Sequence, residues 1–233
     1  MLVVTHFYII IFSTIIGVLA EYKITDEQRQ QYKNMIKEAC TKNGAEDKVE
    51  AVEETVRTFV DCVKSMFDVD TIKNEIEEAK PRGALDEVFK KYCAKSTELK
   101  TCLHTLTAGI SPCLDPALRE QIGAADNTTD QFIDFVCYKD GDRIALFIAE
   151  SGPECLKEKA LPIRECATKI GENIKSIGDA KKLTLTEQCA KYDELTACIV
   201  KALEECSTPT PGNMAESLFR FVRKTTPCNK VKR

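Results

Sequence analysis

The sequence predicts an all-α fold: a disulfide-stapled bundle of several helices, assembled from two duplicated six-cysteine halves. Three observations lead there. Apolar residues recur every three or four positions along most of the chain, alternating runs of strand length are missing, and 12 cysteines follow an apolar leader.

The leader comes first. Leu2 to Ala20 contain no Asp, Glu, Lys or Arg and include the run Tyr8-Ile9-Ile10-Ile11-Phe12. They close on Val18-Leu19-Ala20, small residues where a signal peptidase reads them, before the chain turns polar at Glu21. The n-region has no Lys or Arg, so the amino terminus and His6 must serve. An uncleaved anchor is the rival, because a run of this length nearly spans a bilayer. The cleavage signature favours removal. Residues 1–20 are therefore read as a signal peptide and 21–233 as a single helical globular domain, with repeat halves 21–138 and 139–233. No later segment is apolar enough to span, so membrane insertion after cleavage is not expected.

The helices follow in order. Thr25-Asp26-Glu27-Gln28 reads as a capping box, with Tyr32, Met35, Ile36, Ala39 and Cys40 behind it at helical spacing. Val49, Val52, Val56, Phe59, Val60, Val63 and Phe67 form the clearest stripe, with Glu50, Glu54, Arg57 and Lys64 largely opposite. Asp70 to Lys80 makes a shorter helix that Pro81 ends. One long helix is expected from Gly83 to Ser111-Pro112. Gly123 to Asp130 is polar and reads as an exposed loop. Asp130 to Tyr138 is helical, bounded by the turn Lys139-Asp140-Gly141-Asp142. Ile144-Ala145-Leu146-Phe147-Ile148-Ala149 is the most apolar run after the leader. With Asp142 as cap and Gly152-Pro153 as stop, it reads as a short buried helix at the centre of the core. Leu161 to Ile177, Thr184 to Cys206 and Asn213 to Thr225 complete the set, the second opening on the capping box Thr184-Leu185-Thr186-Glu187.

The duplication is legible in one segment. Cys93-Ala94-Lys95-Ser96-Thr97-Glu98-Leu99-Lys100-Thr101-Cys102 returns as Cys189-Ala190-Lys191-Tyr192-Asp193-Glu194-Leu195-Thr196-Ala197-Cys198. Downstream, Asn127, Asp130, Phe135 and Val136 are echoed by Asn213, Glu216, Phe221 and Val222. Six cysteines fall in each half: Cys40, Cys62, Cys93, Cys102, Cys113 and Cys137, then Cys155, Cys166, Cys189, Cys198, Cys206 and Cys228. Behind a signal peptide an even set reads as disulfides, with the pairing open. A metal–thiolate site is disfavoured, since no CxxC pair exists and His104 is the only histidine past the leader. Nine residues along a helix turn it by about 900°, half a turn net. Cys93 and Cys102 therefore face opposite sides and reach different neighbours, and so do Cys189 and Cys198.

Other function classes are excluded or weakened. The 33 basic against 37 acidic residues give no basic surface for nucleic acid, and Trp is absent. No nucleophile, base and orienter can be assembled around a lone helical His104, so no catalytic residue and no cofactor is assigned. The pairs Glu53-Glu54, Glu77-Glu78 and Glu204-Glu205 read as solvated helix faces. Counting a calcium loop from Asp140 puts Ile144 and Ala145 where ligand and glycine belong, so that pattern fails. Asn127-Thr128-Thr129 is the one N-glycosylation sequon. Arg220, Arg223, Lys224, Lys230, Lys232 and Arg233 read as a solvated basic tail.

The run from Phe135-Val136-Cys137-Tyr138-Lys139-Asp140-Gly141-Asp142 through Arg143-Ile144 and Ala149-Glu150-Ser151-Gly152-Pro153-Glu154-Cys155 resembles the signature of the insect 27 kDa haemolymph glycoprotein family. Size, leader, cysteine-rich helical body and sequon agree over essentially the whole chain. The resemblance implies a secreted, extracellular protein of haemolymph; it supplies no activity, cofactor or binding residue. Two readings of function remain. Braced helical walls could hold an apolar, lipid-like small molecule. Alternatively the stripes pack solidly, and the protein is a structural, storage or immune interaction module without a ligand pocket.

Overall fold

The computed structural model describes residues 26–171 and 182–231. The leader, Thr25 of the first capping box and the end of the helix expected to reach Ile177 lie outside the described residues. Every regular element among the described residues is helical. They form two compact units: residues 26–79 with Lys91–Asp130, and Lys80–Lys90 with residues 131–231.

In the first unit, α1 (Asp26–Lys42) is followed by α2 (Val49–Met66), whose valine stripe buries Val52, Val63 and Met66, and by α3 (Val69–Ala79). Cys40 at the end of α1 is bonded to Cys113, and the pair packs with Ala45 and Val52 as a core cluster. The Asn43 amide donates to the carbonyls of Ala39 and Cys113 at 2.9 and 3.0 Å, closing the carbonyl end of α1 onto the same cluster. Gly44 then takes a φ of +68°, which lets the chain leave the helix without strain.

The long helix expected from Gly83 is two: α4 (Leu85–Cys93) and α5 (Ser96–Ile110). The break falls at Ala94-Lys95, where the Lys95 N–H turns back to the Tyr92 carbonyl at 3.0 Å. The Lys95 Nζ donates to the Met66 carbonyl at 2.7 Å, capping the end of α2. Cys62 of α2 is bonded to Cys102 of α5, and further along a Cβ on Gly109 would lie 2.4 Å from Thr55 Cγ2. These two helices run antiparallel at close range.

Gly123 to Asp130 is not a loop. After α6 (Pro116–Arg119), it forms the first part of α7 (Ile122–Val136). The polar side chains satisfy themselves within the helix: the Thr128 and Thr129 hydroxyls donate to the carbonyls of Ala124 and Ala125 at 2.8 and 3.1 Å.

In the second unit α7 is followed by a tight turn, Tyr138–Gly141, in which Lys139, Asp140 and Gly141 all have positive φ. It leads into α8 (Asp142–Ala149), whose cap position is Gly141, not Asp142. The expectation that this apolar run is the centre of the core fails. Ala145 is its one buried residue and Leu146 is 51% exposed. A helix this short hides one narrow face, and the residues around it stay outside whatever their chemistry. Gly152-Pro153 opens α9 (Gly152–Glu158) as well as ending α8; a Cβ on Gly152 would meet the Phe147 ring at 2.4 Å. α10 (Ala160–Gly171), α11 (Leu185–Leu203) and α12 (Thr210–Thr225) follow. The Thr184–Glu187 capping box at α11 forms as read, and α12 starts ahead of the expected Asn213.

The disulfides carry the repeat. In the second half they join Cys155 to Cys206, Cys166 to Cys198 and Cys189 to Cys228, which is first to fifth, second to fourth and third to sixth. In the first half, Cys40–Cys113 and Cys62–Cys102 are again first to fifth and second to fourth. Cys93 and Cys137, the remaining two cysteines of that half, are each in a disulfide. The opposed faces of α11 at Cys189 and Cys198 reach different neighbours, the turn Pro227–Lys230 and α10, as a half-turn offset requires.

Candidate functional site

Polar chemistry in the first unit converges on a seam between α5 and the start of α7. His104 Nε2 lies 3.0 Å from Asp130 Oδ1, with the two side chains 43% and 29% exposed. One turn further, the Thr107 hydroxyl lies 2.9 Å from Asp126 Oδ1 and 3.0 Å from the His104 carbonyl, two acceptors that share its single proton. Burial pushes the Asp126 carboxyl above its ordinary range; the Thr107 hydrogen bond and the His104 charge oppose that, and Asp130 adds to it. Asp126 and Asp130 stand four apart and so share one helix face. The sequence reading missed this pair because it took the segment for a loop; the four-residue spacing was the available signal. Asn127 sits on the same helix and is exposed.

In the second unit, α11 and α12 flank an open groove of about 830 Å³. Ala190, Thr196, Val200 and Phe219 lie along it, with Lys201, Glu204, Glu216 and Arg220 among its charged residues. Its buried polar groups are already satisfied. The Thr196 hydroxyl donates to the Tyr192 carbonyl at 3.0 Å. Arg223 is not part of a solvated tail: it is 9% exposed and donates to Asp193 Oδ1, the Cys228 carbonyl and the Val231 carbonyl at 2.8, 2.8 and 3.2 Å. Only such a full set of partners makes a guanidinium tolerable in that position. Lys232 and Arg233 lie outside the described residues.

Among the described residues no group of three His, Cys, Asp or Glu is arranged to hold a metal, and no helix is long and apolar enough to cross a membrane. No free cysteine is found among them. Of the carboxylate pairs, Glu77-Glu78 and Glu204-Glu205 are exposed. Glu53 pairs with Lys33 at 3.6 Å and Glu54 with Arg57 at 3.0 Å.

Comparison with known proteins fits this helical, disulfide-rich body. A family model described as a protein of unknown function (DUF1397) matches residues 26–228. A 27 kDa hemolymph protein of Galleria mellonella is 61% identical over 226 residues, covering 96% of each chain. A 27 kDa hemolymph glycoprotein of Manduca sexta is 52% identical over 209 residues, 90% of each. A 27 kDa glycoprotein of Bombyx mori is 56% identical over 190 residues, 82% of this chain and 84% of the relative. No solved structure matches.

Proposed function

The chain belongs to the insect 27 kDa haemolymph protein family, and from that premise we propose that it is a non-catalytic interaction protein of the haemolymph, solidly packed and glycosylated. The observation that carries this reading is where the second unit leaves its apolar side chains. Leu161 is 71% exposed and Leu146 51%, and Tyr138 and Leu156 are exposed too. Large apolar side chains held at the surface of a disulfide-braced scaffold suit contact with another macromolecule. The α11–α12 groove supports the same reading from the other side, because its buried polar groups are saturated and its mouth is charged.

Native mass spectrometry of protein drawn from haemolymph tests this. The expected species is the chain alone or with a protein partner, and a Leu146→Asp, Leu161→Asp variant releases that partner. A small apolar molecule that leaves on denaturation overturns the reading in favour of carriage. One observation favours that second reading: a volume of about 830 Å³ falls within the range of small-molecule sites.

Two processing events belong to the same proposal. The leader is removed after Ala20, so the secreted chain begins at Glu21. The exposed Asn127 carries a glycan, which is added while the chain is still extended enough to be modified. Intact mass before and after enzymatic deglycosylation reads both; a chain still carrying its leader or lacking the glycan defeats the corresponding step.

A further inference from the structure

We propose that Arg82–Gly83 is a processing site, at which an endopeptidase selective for arginine converts the single chain into two chains joined by disulfides. The bond lies between α3 and α4. Lys80-Pro81-Arg82 makes a single tight helical turn, and Pro81, Arg82 and Gly83 are all exposed. Gly83 takes a φ of +65°, and a Cβ built on it would meet nothing within 4 Å, so that side of the bond faces open space. The Gly83 N–H donates to the Lys80 carbonyl at 3.2 Å, whereas Pro81 has no N–H to give. The chain passes here from the first compact unit into the second, and exposed junctions of this kind are where chains are nicked.

An endopeptidase must draw several residues around the cut into an extended strand, so it works where few backbone bonds have to open. Arg29, Arg57, Arg143, Arg164, Arg220 and Arg223 lie within α-helices, where each peptide unit is tied to the turn before it. Arg119 ends α6, but the bond after it is held on both sides. The Arg119 N–H donates to the Asp115 carbonyl at 3.0 Å and the Glu120 N–H to the Pro116 carbonyl at 3.1 Å. The Arg119 Nε also donates to the Leu114 carbonyl at 3.1 Å. Among the arginines of the described residues that leaves Arg82, and the glycine after it brings no side chain to crowd a protease. Lysines stand in other turns, Lys139 and Lys230 among them, so it is selectivity for arginine that singles out this bond.

Hydrolysis adds one water across the amide. The C–N bond between Arg82 and Gly83 breaks, leaving a carboxylate on Arg82 and an ammonium on Gly83. Cys40–Cys113 and Cys62–Cys102 each join a cysteine before the cut to one after it, so the two pieces stay linked. Ala79 on one side and Leu85 and Phe89 on the other are buried, which holds α3 and α4 in place once the turn is open.

Clostripain, which cuts after arginine, tests the site on the full-length oxidised protein at a low ratio of enzyme. Without reductant the product should run as one species. With dithiothreitol it should separate into two, the larger beginning at Gly83 by terminal sequencing. Arg82→Gln should slow the first cut by roughly ten-fold or more, because every other bond after arginine needs a helix or a tied turn to open. Arg82→Lys keeps the charge and should resist as well, which separates loss of the cleavable bond from a change in the turn. Arg119→Gln should be cut at the parent's rate. Recombinant parent incubated in haemolymph should acquire the same Gly83 end. A first cut at another arginine, pieces that part without reductant, an Arg82→Gln protein cut as fast as the parent, or a chain left intact by haemolymph overturns the proposal.

Discussion

The rings of Phe135 and Phe221 lie against each other, centroids 5.2 Å apart and planes inclined at 41°, and the two residues hold matching positions in the repeat. Arg143 stacks on Phe135 at 3.9 Å and donates to its carbonyl at 2.8 Å. Phe135→Ala should cost about 3–5 kcal/mol, since Phe135 is 7% exposed. Phe221→Ala should cost less. In urea unfolding with disulfides intact, the double variant should fall short of the sum by about 0.5–1.5 kcal/mol; strict additivity would show that the ring contact carries no coupling.

Arg223 makes a different demand, because its three donors reach α11 through Asp193 and the C-terminal turn through two carbonyls. Arg223→Lys keeps the charge but cannot reproduce the fork, and should destabilise by about 1–3 kcal/mol. Arg223→Ala removes the charged partner that sits 2.8 Å from the half-buried Asp193 and should cost about 3 kcal/mol. The guanidinium also holds the Cys228 carbonyl, so the Cys189–Cys228 bond should be reduced sooner in either variant than in the parent. Differential alkylation during a dithiothreitol time course reads the order of reduction, and an unaltered order would mean that Arg223 does not protect this bond.

How much of this was legible in the sequence depended on where each residue finds its partner. The valine stripe of α2 and the Thr184–Glu187 box are local patterns, and both read correctly. The echo of Cys93–Cys102 in Cys189–Cys198 revealed the duplication because it preserves residues as well as the spacing of the two cysteines. The break at Ala94-Lys95 was hidden, since the contact that ties its lysine to the end of α2 spans 29 residues. The start of α7 was misread for a related reason: Asp126 and Asp130 look like loop residues until Thr107 and His104 stand opposite. Arg223 looked like a tail residue until Asp193 and the terminal carbonyls closed on it. Composition misled at Ile144–Ala149, where apolar residues surround a helix with only one face to bury.

Asp126 gives a stability effect with a definite pH sign. Burial raises its folded-state pKa, so ionising it penalises the folded protein. The penalty is absent below the unfolded value of about 3.9 and complete once pH exceeds the folded value. Asp126→Asn keeps an oxygen to accept from Thr107 and removes the charge. It should raise the melting temperature at pH 7 and leave it nearly unchanged at pH 3. Equal gains at both pH values would assign the effect to packing, not to ionisation.

Glycine to alanine should act with opposite signs at two helical positions. At Gly123, near the start of α7, a Cβ meets nothing within 4 Å, and alanine should stabilise by up to about 1 kcal/mol through lost freedom of the unfolded chain. At Gly109 the new atom would lie 2.4 Å from Thr55 Cγ2, 2.5 Å from its Oγ1 and 3.0 Å from its Cβ. Rotating Thr55 exchanges one clash for the other, so α2 and α5 must part against the Cys62–Cys102 tether. Gly109→Ala should therefore destabilise by about 1–3 kcal/mol in spite of its better helix propensity. Thr55→Ala removes the two nearest atoms but leaves the Cβ, so the double variant should recover most of the loss and not all of it. Thermal unfolding of the three proteins reads the sequence of effects. A Gly109→Ala protein as stable as the parent would show that the two helices are not held this close.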